Sequence, residues 1–167
     1  MHIRDEEERD RTGVYALNAA AFETPAEAEL VDALRERAHP VLSLVAEAEG
    51  KLVGHILFSP VTLPERPDRK IMGLAPMAVA PGRRRRGIGS ALVREGLERC
   101  RRMGFGAVVV LGHPEYYPRF GFQPASRFGL GCAYDVPDEV FMALELQPGY
   151  LRGVAGPVAY HPAFDAI

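Results

Sequence analysis

This 167-residue chain has only two cysteines, no long apolar run and no surplus of one charge. Cys100 and Cys132 form no metal-like spacing and need not pair, so the expectation is reduced thiols in a cytoplasmic protein. No segment approaches the roughly 18 apolar residues of a membrane span. Met1 to Asp10 is charged and lacks the apolar core of a signal peptide. Twenty basic and 22 acidic residues leave a net charge of −2, so no overall positive field gathers nucleic acid or anionic membrane. Repeats and low-complexity linkers are absent. What is present, 47% hydrophobic and 25% charged residues, fits a single globular domain over residues 1–167.

The pattern of apolar residues predicts an α/β layout. A short strand falls near His2 to Arg4. Asp10 is expected to cap a helix carrying Val14, Leu17, Ala21 and Phe22 on one face. Thr24-Pro25-Ala26-Glu27 reads as a capping box, opening a helix that buries Leu30, Val31 and Leu34. Val41 to Glu47 and Lys51 to Val61 read as a hairpin across Glu49-Gly50, and Leu63 to Arg69 as a loop. Ile71 to Val79 reads as a strand in which Pro76 must occupy a bulge or an edge, because proline donates no ladder bond. Arg86 to Met103 is the clearest helix, with Ile88, Leu92, Val93, Leu97 and Cys100 on one side. Ala107 to Leu111 is a buried strand, Tyr116 to Phe120 a short helix, Val140 to Leu146 a late strand and Val158 to Tyr160 one more. This order predicts a mixed sheet flanked by helices.

The segment Met77-Ala78-Val79-Ala80-Pro81-Gly82-Arg83-Arg84-Arg85-Arg86-Gly87-Ile88-Gly89-Ser90 carries the chemistry. A strand ends, a glycine-containing turn follows and an amphipathic helix begins. A helix start leaves N–H groups without partners and carries partial positive charge. Glycines at 87 and 89 let an anion approach the backbone, so the turn is an anion cradle suited to a pyrophosphate. It lacks the Gly-Lys-Ser/Thr ending of a Walker loop, and Leu92 stands where a dinucleotide fingerprint needs a third small residue. The four arginines also allow a solvated face, which is the expectation for Arg83, or a nucleic-acid patch.

Arg84-x-x-Gly87-x-Gly89 resembles the Q/R-x-x-G-x-G/A motif of the GNAT superfamily of N-acetyltransferases. Tyr116-Tyr117-Pro118-Arg119-Phe120-Gly121-Phe122 resembles its aromatic-Tyr-x-x-x-Gly-Phe segment. Gly54 to Pro60, Leu111 to Pro114 and Tyr134 to Glu139 look like its bacterial YhbS-like branch. The motif core runs from about residue 51 to 122, with 123–167 as acceptor-side strands and tail. The resemblance implies a single-domain GNAT fold whose mixed sheet splays at an acyl-CoA cleft, with acetyl-CoA as donor, an amine acceptor and no metal. Pantetheine would pair with Met77, Ala78 and Val79. Pyrophosphate would sit on Arg84, Arg85, Arg86, Gly87, Ile88, Gly89 and Ser90. Tyr117 takes the place of the family's general acid, while Tyr116 is read as packing.

The base stays open. Family members often place a glutamate on the central strand, and Ile71 to Val79 contains no carboxylate. Glu115 and His113 are the candidates, since they follow the buried strand Ala107 to Leu111. His55, inside a strand, reads as a structural histidine, and Cys132 as a small apolar filler. The rival reading is a non-catalytic acyl-CoA-binding or sensing domain of the same fold. The acceptor is not legible, and a homodimer stays open.

Overall fold

A computed structural model describes residues 1–167. The elements run β1 (His2–Asp5), α1 (Arg11–Ala21), α2 (Ala26–Arg37), β2 (Leu42–Ala48), β3 (Lys51–Val61), β4 (Ile71–Val79), α3 (Ile88–Arg102), β5 (Ala107–Leu111), β6 (Gln123–Pro124), β7 (Leu130–Cys132), β8 (Phe141–Glu145) and β9 (Gly156–Val158). Seven strands form one sheet in the order β1-β2-β3-β4-β5-β8-β6, and β7 pairs with β9 apart from it. In the large sheet only β4 and β5 run parallel, and a parallel pair needs a crossover, which α3 supplies. The hairpin between β2 and β3 closes with Ala48 opposite Lys51. Glu49 and Gly50 both take positive φ, 53° and 76°, as a type I′ turn demands.

α3 lies close against the sheet. Leu92, Val93 and Cys100 are fully buried with Leu44, Ile56, Phe58 and Val108. Gly96 makes this approach feasible, since a Cβ there would run into the Phe58 ring. Pro76 falls where the register slips. Ile56 faces Met77 and Phe58 faces Leu74, so β4 carries one extra residue across Ala75-Pro76. This bulge is the placement its missing N–H requires.

Some expected helix starts are corrected. Asp10 does not cap α1. Its carboxylate accepts from Arg4 at 2.6 and 3.0 Å and from the Glu7 N–H at 2.8 Å. A largely buried guanidinium and a preceding turn outcompete the helix end for those oxygens. Thr24 Oγ1 accepts from the Ala26 N–H at 3.3 Å, yet Glu27 returns no bond, and Pro25 precedes the helix rather than opening it. α3 begins at Ile88 instead of Arg86, because Arg85 and Gly87 are left-handed.

His55 has the structural place expected of it. It is fully buried on β3. Ser43 donates to Glu6 at 2.8 Å and so accepts from His55 Nε2–H at 2.9 Å, while Asn18 donates to Nδ1 at 3.1 Å. Arg35 completes the chain, donating to Glu6 at 2.6 Å. The network ties α1 and α2 to the sheet through a neutral imidazole. Burial first, then the positive charge of Arg35, lowers the pKa of His55 to about 3.

The unfolded chain therefore takes up this proton at higher pH than the folded one. The stability it contributes is present above the unfolded pKa of about 6.5 and is lost as pH falls toward 3. Between pH 6.5 and 5, denaturant titration is expected to show a loss of about 2 kcal/mol. His55→Gln should flatten that slope. An unchanged slope in a folded variant would assign the acid sensitivity elsewhere.

Candidate functional site

The sheet opens at β4 and β5. Their pairing runs from Ile71 opposite Ala107 to Leu74 opposite Val110 and stops there, although β4 continues to Val79. The bulge at Ala75-Pro76 bends β4 at that point. The Ala80 N–H is spent on the Val53 carbonyl at 2.9 Å. Alternate residues of a strand turn their N–H and C=O to opposite edges. Ala78 therefore faces β3, while Met77 and Val79 present their backbone groups to the gap.

Beside this free edge sits the α3 N-terminus. The helix's first backbone bond runs from the Ala91 N–H to the Gly87 carbonyl at 3.0 Å. The N–H groups of Ile88, Gly89 and Ser90 find no partner, and no side chain caps them. A helix of 15 residues thus points its positive end at a groove of about 490 Å³. Met77 and Val79 form one wall, and Gly87 to Ser90 the other. Arg83, Arg84, Arg85 and Arg119 edge it. These guanidinium groups make the groove cationic although the whole chain is slightly acidic.

Two tyrosines follow β5. The Tyr116 hydroxyl lies 2.9 Å from Ser90 Oγ. Arg119 donates to the Tyr116 carbonyl at 2.8 Å and stacks its guanidinium 4.5 Å from that ring's centre. Tyr117 is buried, and its ring lies on the backbone of Gly112, where no Cβ would fit. Desolvation pushes its phenol up to about 12, with Tyr116 adding to the effect.

The residues expected at the cradle largely converge. Met77, Val79, Arg84, Arg85, Gly87, Ile88, Gly89 and Ser90 all border the groove. Ala78 and Arg86 do not border it. Strand alternation turns Ala78 toward β3, and the paired left-handed residues at 85 and 87 swing Arg86 out to solvent. Arg83, expected on a solvated face, does border it. The turn Pro81–Arg83 folds it back onto the groove rim, 3.7 Å from Glu49. His113 and Glu115 are both exposed and border neither the groove nor the cavity on the opposite face. The His113 carbonyl instead accepts from the Tyr116 N–H at 3.1 Å. Tyr116 and Arg119 are site residues that sequence reasoning missed. Their spacing of three on one helical turn was the available signal.

A second cavity of about 300 Å³ lies across the sheet. Leu74, Ala75, Leu111, Tyr134, Tyr160, Phe164 and Ile167 form its wall, with no charged side chain among them. Cys132 stands nearby as a packing residue whose sulfur accepts from the Tyr134 N–H at 3.4 Å. No group of His, Cys, Asp and Glu side chains is placed to hold a metal ion. No helix is long and apolar enough to cross a membrane.

The sequence pattern of the acetyltransferase (GNAT) family matches residues 9–122. The chain is 40% identical over 166 residues to a protein of Escherichia coli (strain K12) named uncharacterized N-acetyltransferase YhbS, covering 99% of each. The crystal structure of E. coli YhbS in complex with CoA superposes with a TM-score of 0.91 at 38% identity, covering 98% of this chain and 91% of that one. A GNAT family acetyltransferase from Brucella melitensis in complex with acetyl-CoA gives 0.81 at 38% identity, covering 98% and 97%.

Proposed function

The chain belongs to the acetyltransferase (GNAT) family, and we propose that it carries an acetyl group from acetyl-CoA to a primary amine. The observation that carries this reading is the uncapped α3 N-terminus set beside the unpaired length of β4. The free N–H groups of Ile88 to Ser90 suit a pyrophosphate. Arg84 and Arg85, with Arg83 and Arg119 at the rim, suit the remaining charge of the nucleotide. Met77 and Val79 offer an amide-bearing pantetheine arm a strand edge to pair with. The relatives that carry CoA or acetyl-CoA support the same donor.

The chemistry follows from the residues at the parting. The amine nitrogen attacks the thioester carbonyl carbon, and the carbonyl oxygen takes on negative charge. The Met77 N–H, turned to the gap, is the group we assign to that oxygen. The C–S bond then breaks, and Tyr117, which stands at the family's acid position although it borders neither cavity, is the residue we assign to give its proton to the departing sulfur. Its raised pKa keeps the phenol protonated throughout the neutral range. The proton shed by the amine passes to water, which restores Tyr117. No carboxylate stands on β4, and His113 and Glu115 are exposed and border neither cavity. The acceptor must therefore reach the thioester already neutral. Tyr117, at the family's acid position, also favours an enzyme over a domain that only senses acyl-CoA.

Donor binding is testable without an acceptor. Acetyl-CoA and CoA are expected to raise the melting temperature, because a ligand that binds only the native state stabilises it by about 2.7 kcal/mol at 100 times its Kd. The affinity should fall with added salt, since guanidinium–phosphate contacts are screened. Calorimetry showing no heat at millimolar CoA would overturn the reading.

A further inference from the structure

The two cavities share one strand. Met77 of β4 borders the cationic groove, and Leu74 and Ala75 of β4 border the apolar cavity on the other face. Between them lies the point where β5 has parted, since the pairing ends at Leu74 and Val110 and Leu111 already lines the apolar cavity. A thioester led along β4 from the α3 N-terminus thus arrives at the inner end of that cavity. Its outer end opens to solvent at Ile167, which is 55% exposed. The acceptor has to enter from that side.

We propose that this apolar cavity receives the body of the acceptor, and that the substrates are primary amines carrying a compact apolar or aromatic group. The proposal rests on the amine-acetyltransferase reading above. The wall is aliphatic and aromatic, with the rings of Tyr134 and Tyr160 tilted against each other at 5.9 Å and those of Tyr160 and Phe164 at 5.2 Å. A cavity of roughly 150 Å³ takes one benzene ring. About 300 Å³ therefore suits a ring or branched chain with a short arm to the nitrogen. A polyamine or a lysine-rich peptide would leave charges unpaired against this wall, which is strongly unfavourable.

The same wall answers the missing base. Desolvation disfavours an ammonium ion, so an amine entering this cavity loses its proton more readily than in water. The Tyr160 hydroxyl is shut off from solvent and has no hydrogen-bond partner. Shut off in this way, it is turned into the packing and not toward the open cavity.

The test compares initial rates of CoA release with phenethylamine, isoamylamine, spermidine and a lysine-containing pentapeptide at fixed acetyl-CoA. Phenethylamine and isoamylamine are expected to exceed the two cationic acceptors in kcat/KM by tenfold or more. Tyr134→Ala removes a half-exposed wall ring. It should raise KM for phenethylamine roughly tenfold, in line with the loss of a buried aromatic surface, while CoA affinity stays at the wild-type value. Spermidine or the pentapeptide turned over as well as phenethylamine would overturn the proposal and leave the acetyltransferase reading standing. A Tyr134→Ala defect confined to hexanoyl-CoA, absent with acetyl-CoA, would overturn it by assigning the cavity to the donor's chain. Acetyl-CoA binding with no amine acetylated would overturn both.

Discussion

Tyr117→Phe is expected to lower kcat by roughly 10²–10⁴-fold, the usual worth of a positioned proton donor, with CoA affinity nearly unchanged. The ring packs edge-on to Tyr116 at 5.0 Å and to Phe122 at 5.7 Å, and phenylalanine keeps both contacts. The hydroxyl makes no hydrogen bond to the protein, so folding loses nothing when it is removed. Tyr116→Phe is the comparison. It gives up the 2.9 Å bond to Ser90 at the groove wall, worth about 1 kcal/mol, so its effect should fall on donor binding and amount to a few fold. Single-turnover acetyl transfer separates the two, because it isolates chemistry from product release. Wild-type single-turnover rates in Tyr117→Phe would remove this residue as the acid.

Gly89→Val is expected to weaken CoA binding by on the order of 100-fold, equivalent to losing one or two hydrogen bonds to a charged group. A Cβ at this position would lie 3.4 Å from the Met77 methyl and 3.5 Å from the Tyr116 hydroxyl, which is ordinary contact. Gly89→Ala should therefore bind CoA within a few fold of wild type. The two further methyls of valine have only the groove to fill, between Met77 and the free N–H groups of the helix. Arg83→Ala removes one rim charge 30% exposed to solvent. It should cost several fold and respond to salt. Equal losses in folded Gly89→Val and Arg83→Ala would point to a diffuse arginine patch in place of a cradle.

Much of this site is legible in the order of the residues, and for a local reason. A strand, a turn and a helix start are adjacent in sequence, so the free N–H groups of residues 88 to 90 follow from chain order alone. The helix period marks α3, and the two motifs flanking it mark Tyr117. Pro76 had to fall at a bulge or an edge, because no regular ladder position accepts a residue without an N–H. His55, in the middle of a strand, had to find partners. The rest turned on competition that a linear reading does not contain. Asp10 had Arg4 as a stronger partner than the end of α1. Arg83 and Arg86 are near neighbours of one type, and the turn over 81–83 put one on the groove rim while backbone handedness at 85 and 87 turned the other to solvent.

Residue spacing alone dictates the α/β element order and the free N–H groups of the α3 N-terminus, and the resemblance to the family rests on two motifs that are equally local. Each depends on residues a few positions apart, whose geometry is set by helix and strand periods. Packing between distant segments brings Tyr116 and Arg119 to the groove and keeps His113 and Glu115 away from it. It also closes an apolar cavity from Tyr134, Tyr160, Phe164 and Ile167 beside Leu74 and Ala75. Those residues are separated by much of the chain, and they meet only because the last segments fold back over the parted sheet.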